Sequence, residues 1–259
     1  MYKLKYYTVI MILVILITGS CDNLLKKDYS LTVKEYQKLG IPDHNRIWTN
    51  DDYINSNITL GSIKSDYPLS LPRKNSKKSG AIFSRFINRE NLSFTGDTAL
   101  PLRSRAYLIQ HFTRFQGELQ QAYSDKTKEE QYYEEELIDI EIFGLFVHER
   151  MLSLAEIIMK STDESLTGIQ SGLKTVKYNY LQLIEMLLAE QVRTKAYSTK
   201  NLEKLSKEVS RSLIENHEWI LPADRLTISA QIQSTIDKSS SKIVKADYQK
   251  ILNALDDKK

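Results

Sequence analysis

The chain has 259 residues, of which 41% are hydrophobic and 27% charged, with a formal net charge of +3 at neutral pH. That balance is ordinary for a globular protein, and so small a total charge gives no reason to expect a nucleic-acid partner. Nine glycines and five prolines are too few for a β-sandwich of tight turns, and a single cysteine excludes any internal disulfide.

The first element in chain order is a leader. Lys3 and Lys5 give a short positive start, Thr8 to Ile17 is almost wholly apolar, and the small residues Thr18, Gly19 and Ser20 lead into Cys21. This is the order of a secretory signal peptide. An apolar run of about ten residues spans only about 15 Å as a helix, roughly half a bilayer's hydrocarbon core. The segment resembles the bacterial lipoprotein signal, in which the residue after the cut is a lipid-bearing cysteine. Thr18 stands where leucine is usual in that family, with Ile17 one residue earlier and the small Ser20 directly before Cys21. The resemblance covers residues 1 to 21 only. It implies a diacylglyceryl and N-acyl lipid on Cys21, removal of residues 1–20, and a position outside the cytoplasm, at the outer membrane of the cell envelope. The alternative is an uncleaved helical anchor. Loss of Lys3 and Lys5 with the leader brings the formal charge to +1.

Residues 21–31 read as a lipidated tether and 32–259 as a single all-α domain. Within it, 32–100 holds short helices and loops, and 101–259 forms a multi-helix bundle core of long antiparallel helices. Thr32 and Glu35 form a capping-box pair for a helix over 32–39, which Gly40 and Pro42 stop. A second helix starts near Thr49, with Asp51 and Asp52 suited to its first turn. From Ser62 to Ser79 the pattern turns irregular, and 80–92 reads as another short helix. Helices follow at 101–123 and at about 128–160, the latter apolar nearly all round between Leu137 and Val147 and so expected at the domain's centre. The next, capped by Thr162 or Asp163 and running to about Ala196, carries a heptad seam of Leu166, Ile169, Leu173, Val176, Tyr180, Leu183 and Leu187. Short connections favour an intramolecular bundle over an intermolecular coiled coil. Helices at about 199–217, 223–237 and 242–256 complete the chain.

Sequence motifs for catalysis are sparse. His148-Glu149 begins like a zinc-binding His-Glu-x-x-His, but Leu152 occupies the second histidine position, and the four histidines are scattered. Ser171 with Lys174, and Ser239 with Lys242, fit Ser-x-x-Lys, and Lys78-Ser79-Gly80 mimics a later element of penicillin-binding enzymes, in the wrong order. Gly168 and Gly172 are spaced for close helix approach. No cofactor motif is present. Glu141 and His148 lie two turns apart on one helix face in the most apolar stretch, as either a satisfied buried pair or a proton-transfer pair.

Charge is patterned although its total is small. Between Lys64 and Arg114 the net charge is +7, and between Asp125 and Glu141 it is −6. The two stretches either neutralise each other in the fold, or the basic one (Arg73, Lys74, Lys77, Lys78, Arg85, Arg89) recognises an anionic glycan, lipid headgroup or acidic protein. Arg105 falls on the apolar side of its helix, so a salt bridge to a carboxylate in 129–141 is expected. The leading expectation is a non-enzymatic, lipid-anchored scaffold or accessory subunit acting through protein contacts. The second is an anionic-ligand binder using 73–89, and the third an enzyme built on Glu141 and His148.

Overall fold

The computed structural model describes residues 30–43, 46, 48–66, 70–96, 99–124, 133–162, 167–193 and 197–256; for 64–66, 94–96, 167–174 and 190–193 it describes the backbone alone. Helix α1 spans Val33–Lys38, α2 Asn50–Asp66 and α3 Gly80–Phe86, followed by a 3-10 segment at Arg89–Gly96. The long helices are α4 (Leu102–Tyr123), α5 (Glu134–Met159), α6 (Thr167–Arg193), α7 (Thr199–Glu215), α8 (Pro222–Lys238) and α9 (Lys242–Asp256), with a 3-10 turn at His217–Trp219 between α7 and α8. The described residues contain no strand. The protein is an all-α multi-helix bundle.

Local chemistry sets the ends of these helices. At α1 the Thr32 side chain accepts from the Glu35 backbone while Glu35 reaches back to the Thr32 backbone, a complete capping box. Thr49 and Asp52 repeat the exchange at the start of α2, where Arg46 also grips Asp52 at 2.5 and 2.9 Å. Gly40, the one described residue with a positive φ, has φ of 84° and lets the Ile41 N–H close on the Tyr36 carbonyl. Helix α2 runs on to Asp66, through the first five residues of the stretch that sequence makes irregular. Ile63, 2% exposed, anchors that extra turn, and Ser62 donates its hydroxyl back to the Ile58 carbonyl.

The helix expected at the centre is there for a geometric reason. Two hydrophobic cores share α5. On one side Leu137, Ile140, Phe143, Val147 and Ile158 pack with α4 and the N-terminal elements. On the other, Ile138, Ile142, Leu145 and Leu152 pack with α6, α7, α8 and α9. From Leu137 to Val147, where both flanks are covered, the helix has little face left to be polar. The seam of α6 enters the second core through Tyr180, Leu183 and Leu187, widened by Ile184 and Leu188; Leu166, Ile169 and Leu173 lie outside the described side chains.

Gly80 marks a close approach. A Cβ built there would stand 2.7 Å from the Lys74 carbonyl oxygen, a backbone atom that cannot swing away. Gly80→Ala is expected to destabilise the fold by about 1–3 kcal/mol, as overpacking does. The control is Gly117→Ala, where a Cβ meets open space on an exposed helix face. Equal midpoints for the two variants in urea unfolding would refute the close-approach account.

Candidate docking groove

The basic residues singled out in the sequence occupy separate settings. The loop before α3 closes on the acidic first turns of α5. The Lys74 backbone N–H donates to Glu136 at 2.8 Å, Lys74 Nζ lies 2.6 Å from Asp139, and Asn75 donates to Glu135 at 2.6 Å. The Arg73 Nε is 3.6 Å from Glu136, with its guanidinium over the Tyr133 ring. Lys204 of α7 takes the other oxygen of Asp139. The basic and acidic stretches thus meet at Arg73 and Lys74, the first of the two arrangements that charge patterning allows. Burial pushes the Glu136 carboxyl up, against the pull of Arg73 and the Lys74 N–H.

Lys77 and Lys78 are exposed, while Arg85 is buried on α3. Arg89 stacks on Phe146 at 3.1 Å, with Arg211 also near that ring at 4.8 Å. A cleft of about 170 Å³ beside it is lined by Arg89, Asp139, Lys204 and Glu208 over Ile142 and Phe146. Of the six basic candidates it takes Arg89 alone. Arg105 is buried, 7% exposed, as its place on the helix wheel requires; residues 129–132 of its anticipated acidic partner stretch lie outside the described residues. Cys21 lies outside them too.

Glu141 and His148 are both buried on α5, 2% and 8% exposed, and neither lines the cleft beside Arg89. His148 Nδ1 lies 2.9 Å from the Gly144 carbonyl, one turn back, and so donates to it. Burial lowers the His148 pKa, an effect the Gly144 hydrogen bond partly offsets. The unfolded chain therefore binds this proton more readily than the folded one. The contribution is fully present above the unfolded value of about 6.5 and is lost as the pH falls below it. His148→Gln keeps a donor for the Gly144 carbonyl and is expected to flatten the decline in Tm between about pH 6.5 and 5. The opposite contribution of Glu136 is common to both proteins and cancels. Identical slopes in thermal melts would sink this assignment.

Two of the serine-lysine matches fall at helix ends. The Ser79 hydroxyl, at the start of α3, accepts the Arg73 N–H, and the Ser239 hydroxyl, just past the end of α8, accepts the Ser241 N–H at 3.2 Å. Ser171, Lys174, Gly168 and Gly172 fall on α6 outside the described side chains. Among the described residues no group of three or more His, Cys, Asp or Glu side chains is arranged to hold a metal.

A larger concavity lies on the outer face of α6. It encloses about 520 Å³ between Lys177, Tyr178, Leu181, Gln182 and Glu185 of α6 and Trp219, Leu221 and Asp224 of the turn into α8. Glu141 and His148 are absent from its walls as well. The packing of α8 on α6 builds it. The volume and the mainly apolar lining with a few polar groups are those of a binding groove. Tyr178 is 59% exposed and Leu221 56%. The Gln182 amide donates to the Tyr178 hydroxyl at 2.7 Å, and Lys177 Nζ sits 4.7 Å over the Trp219 ring. Sequence reading missed this site. Its trace was present in Tyr178 and Leu181, apolar residues off the heptad seam, and in Trp219 and Leu221 within a helix connection.

The fold and groove define an all-α bundle that presents an apolar cleft. Compared with known proteins, the chain matches no family, no curated protein and no solved structure.

Proposed function

We propose that this chain is a lipid-anchored protein of the bacterial cell envelope, held at the outer membrane through Cys21, and that it acts as a non-enzymatic scaffold or accessory subunit through protein contacts. The Lys3 to Cys21 pattern supports the anchor. The observation that carries the contact role is the α6–α8 groove, where Tyr178 and Leu221 leave apolar area in water. Recognition of an anion by 73–89 has less support, because Arg73 and Lys74 already face carboxylates of α5. An enzyme using Glu141 and His148 has less still, since neither side chain lines the Arg89 cleft or the α6–α8 groove.

A photo-crosslinking residue at position 178, in intact cells, is expected to trap a discrete protein partner. The same residue at the exposed Lys207, on α7 and outside the groove's lining, is expected to trap none. Adducts from position 77 or 78 and none from 178 would move the role to the basic loop.

A further inference from the structure

The groove's charges narrow the kind of partner it fits. Elsewhere on the bundle carboxylates are gathered by a single cation: Arg211 meets Glu149 at 2.8 Å, Glu208 at 3.0 Å and Glu215 at 2.5 Å. Inside the groove the situation differs. Glu185 on the α6 wall and Asp224 on the α8 wall have no salt-bridge partner among the described residues. The guanidinium next along the chain, Arg225, donates to the Ile220 carbonyl at 3.3 Å instead. Among the described lining residues the one cation, Lys177, is drawn over Trp219. The cleft therefore offers an apolar floor and two uncommitted carboxylates.

Shape restricts the occupant further. Lys177 and Glu185 are eight residues apart on one helix, so the wall is about 12 Å long, roughly two helical turns. The described residues have no sheet edge for a strand to join. Lys177 lies over the Trp219 ring, which leaves a proline-rich strand with Tyr178 as its one open aromatic platform among the described lining residues, where such a strand stacks on several. A short amphipathic helix needs neither.

We infer that the groove receives an amphipathic helix of a partner protein whose apolar ridge is flanked by lysine or arginine, the basic residues meeting Glu185 and Asp224. This rests on the docking role proposed above and specifies its partner. The apolar ridge supplies affinity. The two charge pairs supply selectivity against acidic helices and make binding weaken with salt.

The test uses the chain carrying Cys21→Ser, so that neither lipid nor detergent competes for an apolar peptide. The probes are two synthetic helical peptides of about 18 residues, long enough to be helical alone. Both carry the same leucine ridge, one flanked by lysines and the other by glutamates. Affinity is read from the anisotropy of a labelled peptide, and position from the emission of Trp219. The other tryptophan, Trp48, is fully buried, and Trp219→Phe removes the signal. The lysine-flanked peptide is expected to bind about tenfold more tightly, the sum of two exposed ion pairs. The double variant Glu185→Lys, Asp224→Lys is expected to reverse that order. Equal binding of both peptides with a Trp219 shift would overturn the basic partner and leave the docking role standing. A preference that survives charge reversal overturns the inference as well. Absence of any Trp219 shift with either peptide removes the docking role and the inference together.

Discussion

Replacing Phe115 by alanine is expected to cost about 3–5 kcal/mol of folding stability, the range for truncating a buried aromatic. Phe115 is fully buried on α4, where rings from three other places converge on it: Tyr53 at 4.8 Å, Phe86 at 5.7 Å and Trp48 at 5.8 Å. Tyr53 also meets Phe112 at 4.7 Å, and Trp48 meets Phe86 at 5.3 Å. Rings tilted or edge-on at these distances attract beyond their area burial. Truncation at the hub loses the transfer energy of one ring and the edge contacts of three, and leaves a cavity that rigid neighbours cannot close. The loss falls on the elements from Trp48 to Phe86, so faster proteolysis within 46–96 is expected before the rest of the chain is cut. Tyr107→Ala, half-exposed on the same helix, is the control and is expected to stay within about 0.5 kcal/mol. A loss under about 1 kcal/mol for Phe115→Ala in urea unfolding would show that the aromatic cluster is not what fastens this region to α4.

The second large effect is on location. Cys21→Ser is expected to move the protein from the membrane pellet to the soluble extract of the envelope and to abolish incorporation of labelled fatty acid. The physical reason is that the proposed anchor is entirely lipid. Each buried methylene contributes about 0.8 kcal/mol, so one acyl chain holds a protein marginally and two or more hold it stably. Among the described residues no helix is long and apolar enough to cross a membrane. The apolar run ending at Ile17, about 15 Å as a helix, is half the length a span requires. If the serine variant stayed in the pellet with residues 1–20 still attached, the anchor would be that segment and the lipid reading would be wrong. Proper folding of the variant is checked by its urea midpoint, expected to match the parent's because position 21 precedes the described fold.

Much of the architecture was legible because it is written in local chemistry. The Thr32 and Glu35 exchange, the run of carboxylates at the start of α5, and the seam through Tyr180, Leu183 and Leu187 on α6 each involve residues within a few turns of one another. Their geometry follows from helical periodicity alone. The extension of α2 was not legible, since what holds its last turn is the burial of Ile63 against elements distant in sequence. Proline at position 68 limits such a helix without saying how close to it the helix runs.

The chain alone determined that this protein is helical, that α5 lies at its centre, and that one cysteine follows a leader-like segment. Periodicity, caps and composition are properties of neighbouring residues, and any fold must respect them. Tertiary structure alone decided which charges spend themselves inside. Lys74 and Lys204 come from opposite directions to share Asp139, and Arg211 gathers three carboxylates, whereas Glu185 and Asp224 are left to solvent. It also decided the groove, because Leu181 and Trp219 are neighbours only once α8 packs on α6. A surface made by two segments far apart in the chain has no periodicity to announce it, and its chemistry appears only when packing brings the two walls together.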